Sequence, residues 1–262
     1  MVGDVEGQGH EGQGHEGDGH ERHGDEGDGH ERHGHERHGN MDHDHDGHGH
    51  GGYGHMGRGA IGTRGRGGPP GPGLCGLDLD GVLCDLGPGV AARIEARFGV
   101  ASHPATWRTF DLRRLPLGVP SDRFGLFIDE VFADPDLYVA APPVAGALEA
   151  LVQLRAAGWV LVGITARPPG LARVTEAWLD GHGMVLDGVH HVPLGTKAVV
   201  AERLGATVTI EDNPEEAELL GTVCESWLID RPYNRDQPLR RARRLRSWDH
   251  AVGQLCQLRL FA

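Results

Sequence analysis

Residues 74–83, LCGLDLDGVL, set two acids, Asp78 and Asp80, at the end of a short apolar run that Gly81 closes. A run of that length, with punctuation directly behind it, reads as a buried strand ending in polar residues. Open α/β sheets place their chemistry at strand ends. Asp78 and Asp80 are therefore the first candidate functional pair.

Working outward, the spacing of Val90, Ile94 and Phe98 after Pro88 predicts a helix that Gly99 ends. Residues 100–141 hold short helical candidates among prolines, among them Phe124–Phe132 with Phe127 and Val131 on one face. Beyond Pro143 the pattern becomes regular. A helix bearing Val144, Leu148, Leu151 and Leu154 precedes a strand at Trp159–Ile164, and a helix with Val174, Trp178 and Leu179 precedes a short strand near Val189–Val192. Then come a helix at Thr196–Leu204, a strand at Thr207–Ile210, a helix at Glu215–Leu220, a strand at Ser226–Ile229 and a last helix over about Leu239–Leu258. Strands and helices alternating at these lengths imply right-handed crossovers. The predicted fold is α/β: a Rossmann-like parallel sheet with helices on both faces and a small helical insertion after the first strand.

Four polar clusters follow four of the predicted strands: Asp78 with Asp80, Thr165 with Arg167, Lys197 at a helix start, and Glu211 with Asp212. In a parallel sheet the carboxyl ends of the strands share one edge, so these clusters converge on one acidic pocket with one lysine. Crowded carboxylates repel unless a cation sits among them, and all-oxygen ligands suit a hard ion such as Mg2+. That ion, Lys197 and the Thr165 hydroxyl together suit a phosphoryl group, whose oxygens need positive charge and donors. Each residue alone has an ordinary reading: a strand-end turn for the acids, a solvated helix residue for Lys197, an Asx-type turn for 211–213. The four clusters in order share no such reading.

Composition divides the chain. It has 262 residues, 43 glycines, 18 histidines and a formal charge of −13, and residues 1–68 take 23 of those glycines and 13 of those histidines. That stretch carries 14 acids and 6 bases, which leaves the remaining 194 residues with a net charge of −5. A length of 194 residues suits one domain with its own core and excludes a second large one. The G-H-E-G and E-R-H-G units of the first stretch offer no apolar periodicity, so disorder is expected there. Its run DHDHDGHGH (42–50) reads either as a collector of Ni2+ or Zn2+ or as a solvated leader, the product of an upstream start codon. The segment RGAIGTRGRGG (58–68) has only the composition of a nucleic-acid tether. Cys75, Cys84, Cys224 and Cys256 include no C-x-x-C pair, which points to reduced thiols. With neither a secretory signal in Met1–His50 nor an apolar run long enough for a bilayer, a soluble cytoplasmic protein is expected.

The order DLDGV (78–82), ITAR (164–167), Lys197 and IEDN (210–213) resembles the four motifs of the haloacid dehalogenase superfamily of phosphohydrolases, over about residues 74–250. The resemblance implies a catalytic core at 69–85 and 142–262 with a helical cap at 86–141. It implies Asp78 as nucleophile, Asp80 as acid and base, Thr165 as a donor to the transferring group, with Ala166 and Arg167 at the phosphate, and Lys197 as the counter-charge. It also implies Mg2+ held by Asp78, the Asp80 carbonyl, Asp212 and Glu211. Residue 216 is Glu where one common form of the fourth motif has Asp, which leaves the last ligand open. ITARP (164–168), T-x-x-WL (175–179) and IDRPYN (229–234), followed by Arg244 and Trp248, are similar to the 5′(3′)-deoxyribonucleotidase-like branch. That branch implies a nucleoside monophosphate as substrate. Trp107, Phe110 and Phe124 are candidates to stack on a base or to fill the core of the cap.

Two other readings stay open. A polynucleotide 3′-phosphatase resembles the same motifs; the arginines 240, 241, 243, 244 and 246 favour it, whereas the net charge of −5 and the 56-residue insertion favour a small phosphorylated partner over a nucleic acid or a membrane. The bland reading of those arginines is a solvated helix face. The other is a metal-storage protein acting through its histidines, against which the intact Asp78, Asp80, Lys197 and Asp212 speak.

Overall fold

The computed structural model describes residues 73–260. The expectations for residues 1–68, including the histidine run and the RG-rich segment, lie outside the described residues.

Six parallel strands form one sheet: β1 (Leu74–Leu77), β2 (Val160–Thr165), β3 (Gly188–His191), β4 (Val208–Glu211), β5 (Glu225–Ile229) and β6 (Arg243–Leu245), in the order β3-β2-β1-β4-β5-β6. The first strand in sequence is thus central, with Gly76 paired to Val162 on one side and Thr209 on the other. The helices are α1 (Gly87–Phe98), α2 (Ser121–Ala133), α3 (Pro135–Val139), α4 (Ala147–Ala156), α5 (Ala172–Gly181), α6 (Lys197–Leu204), α7 (Pro214–Leu220) and α8 (Trp248–Leu260). Strand alternation sorts the core. Val162 and Ile164 pack with Ala201 of α6 and Leu220 of α7, while Leu161 packs with Leu154 of α4 and Leu255 of α8 on the other face. Helices therefore cover both faces, as the alternation predicts.

The stretch between β1 and α4 holds α1, two short 3-10 turns (Pro104–Thr106 and Leu112–Arg114), α2 and α3. Pro88 in the first turn and Gly99 at φ 66° bound α1, as the sequence signals require. Trp107 and Phe124 are buried here with Ile128 and Val131, so these two aromatics serve the core. Phe127 is half-buried and meets Phe98 edge-on at 4.9 Å. Phe110 remains exposed.

Two expectations are corrected. The strand of 74–83 ends at Leu77; beyond it the amides of Val82, Leu83 and Cys84 turn back onto the Leu79 carbonyl at 3.2, 2.7 and 2.8 Å, around Gly81 at φ 78°. The single helix over Leu239–Leu258 is instead the edge strand β6 followed by α8. Glu218 accepts the amides of Arg240, Arg241 and Ala242, which draws them away from helical bonding. Leu245 is buried against the sheet, and the Trp248 indole donates to the Val82 carbonyl at 3.0 Å, fixing where α8 starts. The arginines consequently form no helix face: Arg243 pairs with Glu225 at 3.0 Å and Arg244 with Asp230 at 2.7 Å. No helix among the described residues is long and apolar enough to cross a membrane.

Candidate active site

Asp78 follows β1 directly, its amide donating to the Ile210 carbonyl at 3.0 Å, so it leaves the sheet beside the end of β4. Its carboxylate, with those of Glu211 and Asp212, forms a buried group whose oxygens lie within 4.8 Å of one another. Gly81 is needed on two counts: its φ is positive, and a Cβ there would overlap the Asp212 carboxylate and the Tyr233 hydroxyl. Gly81→Ala is expected to cost about 2–4 kcal/mol from left-handed strain and overpacking together. Urea denaturation checks this, and an unchanged midpoint would contradict it.

Lys197 is the first residue of α6 and only 2% exposed. Its ammonium bridges Asp78 at 2.9 Å and Glu211. Burial works against its charge, but the two carboxylates outweigh that and raise its pKa, so the lysine holds its proton. The second Glu211 oxygen accepts the amides of Asp212 at 2.9 Å and Asn213 at 3.1 Å. Glu211 thus spends most of its accepting capacity within the protein. Asn213 caps α7 through the Glu215 amide at 2.9 Å, which turns the chain sharply after Asp212.

Three buried acids share one lysine, and that imbalance is written into the proton affinities of Glu211 and Asp212. Burial, then the charge of Asp78, pushes Glu211 well above the usual carboxylate range and Asp212 to about 7. An all-carboxylate group short of positive charge fits a hard divalent cation. A carboxyl whose folded-state pKa lies above its unfolded value of about 3.9 adds stability that is present below that value and lost as the pH rises through the folded one. For Asp212 the window runs from about 4 up to about 7. The metal-free chain is therefore expected to melt lower at about pH 8 than at about pH 5.5, and Mg2+ to raise Tm more at the higher pH. Equal Mg2+ shifts at both would count against the site.

Thr165 ends β2, 1% exposed, and its hydroxyl accepts the Arg167 amide at 3.2 Å across half-buried Ala166. The Arg167 guanidinium is turned onto Asp80, with Nε to Oδ2 at 3.0 Å and a terminal nitrogen to Oδ1 at 2.6 Å. Its other terminal nitrogen donates to Thr175 of α5 at 3.1 Å, and the group lies 4.6 Å from the Tyr138 ring centroid. Burial raises the pKa of Asp80, and Arg167 opposes that shift. The arginine therefore stands behind Asp80, braced by α5 and by α3.

The sequence motif IDRPYN proves to be the brace of the other side. Arg231 donates to the Gly81 carbonyl at 2.6 Å, Asn234 donates to the Asp212 and Ile229 carbonyls at 2.8 and 2.9 Å, and the Tyr233 hydroxyl donates to Asp212. Arg244 ties the loop closed through Asp230 at 2.7 Å and the Gln237 carbonyl at 2.9 Å. Sequence reasoning marked this motif for resemblance alone and assigned Tyr233 and Asn234 no place in the site. Glu216, where the motif departs from its common form, lies outside the carboxylate group; it accepts the Gly195 amide, two residues before Lys197.

No curated protein matches the sequence. Among solved structures, a predicted phosphatase from Clostridium acetobutylicum is similar at 15% identity and a TM-score of 0.50, covering 72% of this chain and 100% of that one. A HAD family hydrolase from Deinococcus radiodurans, solved with bound phosphate and sodium, is similar at 18% identity and a TM-score of 0.49, covering 72% and 97%. The family model described as "5' nucleotidase, deoxy (Pyrimidine), cytosolic type C protein" matches residues 73–261, a span that contains every strand of the sheet and every side chain of the pocket. The chain belongs to this family of haloacid dehalogenase-type phosphatases.

Proposed function

We propose that the protein is a Mg2+-dependent phosphomonoester hydrolase that releases phosphate from nucleoside monophosphates through an aspartyl-phosphate. The observation that carries this reading is the buried pair of Asp78 and Lys197 at the end of the central strand, with Asp212 alongside. In the first step an Asp78 oxygen bonds to phosphorus as the bond from phosphorus to the leaving oxygen breaks. Asp80 gives that oxygen its proton. In the second step Asp80 takes a proton from water, the water oxygen bonds to phosphorus, and the bond to Asp78 breaks to free phosphate. Lys197 offsets the charge of Asp78 and the phosphoryl oxygens, and the Thr165 hydroxyl donates to that group. Asp78, Asp212 and the Asp80 carbonyl would hold the cation, with Glu211 beside them, and it would add positive charge against the phosphoryl oxygens.

In this reading Arg167 acts at the phosphate through Asp80. Arg167→Met is expected to lower kcat/KM about 100-fold on a nucleoside monophosphate, whose alkoxide leaves only when protonated, and far less on p-nitrophenyl phosphate. Equal losses on both would mean that Arg167 does not serve the acid.

Residues 86–141 act as the cap over the core of 69–85 and 142–262, excluding water and favouring a small substrate. Family membership supports a nucleotide, and the exposed Phe110 offers a ring to its base. The paired arginines of β6 leave little free charge there for a nucleic-acid strand. Buried, unpaired Cys75 and Cys84 suit a reducing cytoplasm. The imidazole spacing of residues 42–50 supports Ni2+ or Zn2+ capture apart from this chemistry.

The test is phosphate release by the full chain with Mg2+ across nucleoside 5′- and 3′-monophosphates, sugar phosphates and a 3′-phosphorylated oligonucleotide. Mononucleotide turnover that disappears in Asp78→Asn supports the reading. Turnover confined to the oligonucleotide moves it to nucleic-acid end repair, and silence across the panel overturns it.

A further inference from the structure

We infer that Tyr233 is a positioning residue for the metal ligand Asp212, and that Phe110 couples it to the insertion of residues 86–141. The inference rests on the divalent-cation reading of the carboxylate group.

Asp212 is held from three directions. Its carbonyl accepts Asn234, its amide donates to Glu211, and its Oδ2 accepts the Tyr233 hydroxyl. Only the last of these touches the carboxylate itself, so the tyrosine decides which way that carboxylate faces. The joint is tight: the Tyr233 hydroxyl and the Asp212 carboxylate close on Gly81 from the same side, leaving no room for a methyl group. The carboxylate held in this way is the one that joins those of Asp78 and Glu211. A partner that orients a ligating carboxylate in this way sets metal affinity without contacting the metal.

The Tyr233 ring is itself held from outside its loop. Phe110, between the two 3-10 turns of the insertion, meets it edge-on, with ring centroids 5.9 Å apart and an interplanar angle of 67°. Phe110 is 41% exposed, unlike Trp107 and Phe124, and contributes this contact without joining the core of the insertion. A shift of the insertion moves Phe110 and frees the tyrosine to leave Asp212. Metal affinity and the placement of the insertion are thus linked through one hydroxyl.

The test is Mg2+ binding to the full chain by titration calorimetry, a readout independent of turnover, on wild type, Tyr233→Phe, Phe110→Ala, the double variant and Asp212→Asn. The last carries the same acidic first 68 residues and sets the background of binding outside the site. Tyr233→Phe keeps the ring and its packing and is expected to weaken the site about tenfold. Phe110→Ala is expected to weaken it by less, and the double variant no more than Tyr233→Phe, because both act through the same hydroxyl. Unchanged affinity in Tyr233→Phe, wild-type affinity in Phe110→Ala, or additive losses in the double variant overturns the link. If Asp212→Asn binds as wild type does, the cation reading itself fails, whatever Tyr233 does.

Discussion

Asp78→Asn is expected to abolish phosphate release, by about 10⁴-fold or more, while leaving the melting curve nearly in place. Loss of a nucleophile removes the covalent route altogether, and what remains is the small rate that binding and charge alignment sustain. The fold survives for a local reason. The amide of residue 78 keeps its bond to the Ile210 carbonyl whatever the side chain, and Lys197 retains Glu211 as partner when Asp78 loses its charge. Far-ultraviolet circular dichroism with a coupled phosphate assay checks both halves. Turnover near the wild-type level would end the aspartyl-phosphate mechanism, and unfolding would mean that the pair with Lys197 is a structural keystone first.

Lys197→Met is expected to fail in both respects. Among the described residues the lysine is the one cation in direct contact with both Asp78 and Glu211, and removing one partner of a buried ion pair leaves charge uncompensated, which costs about 3–5 kcal/mol. The same change removes the charge that would offset Asp78 and the phosphoryl oxygens during turnover. Turnover is expected to fall about 10³-fold, more than KM rises, because the ammonium acts most where phosphoryl charge develops. Mg2+ is expected to restore part of the lost stability and little of the turnover. Denaturation with and without Mg2+, beside steady-state kinetics, distinguishes these effects; a variant as stable as wild type without metal would contradict the charge balance described above.

The sheet and the edge that carries the candidate site were legible in the sequence because the signal there is local. Apolar runs switch abruptly to Asp78, Thr165 and Glu211 at strand ends, and glycines at 81 and 99 take the left-handed turns that their places demand. The carboxyl end of the chain was not legible, because its determinants are distant. Three residues of β6 offer a single buried side chain, Leu245, and the force that extends residues 240–242 is the Glu218 carboxylate on another element. Residue type likewise marked Arg167 as belonging to the site without giving its direction. Thr175 and Tyr138, on two separate helices, turn it toward Asp80. Tyr233 and Asn234 were hidden for the same reason: their contacts with Asp212 cross more than twenty residues of sequence.

The central position of β1 also governs how the chain comes to be folded. Leu74–Leu77 is the first strand to be synthesised among the described residues, yet both of its edges are filled by segments made much later, β2 on one side and β4 on the other. Until residue 211 has left the ribosome, an apolar strand stands with an open edge, the kind that recruits foreign strands. Pairings across such sequence distances close slowly. Asp78, at the end of that strand, gains Lys197, Glu211 and Asp212 as neighbours only when β4 docks, so the proposed nucleophile is made well before the groups that would make it competent.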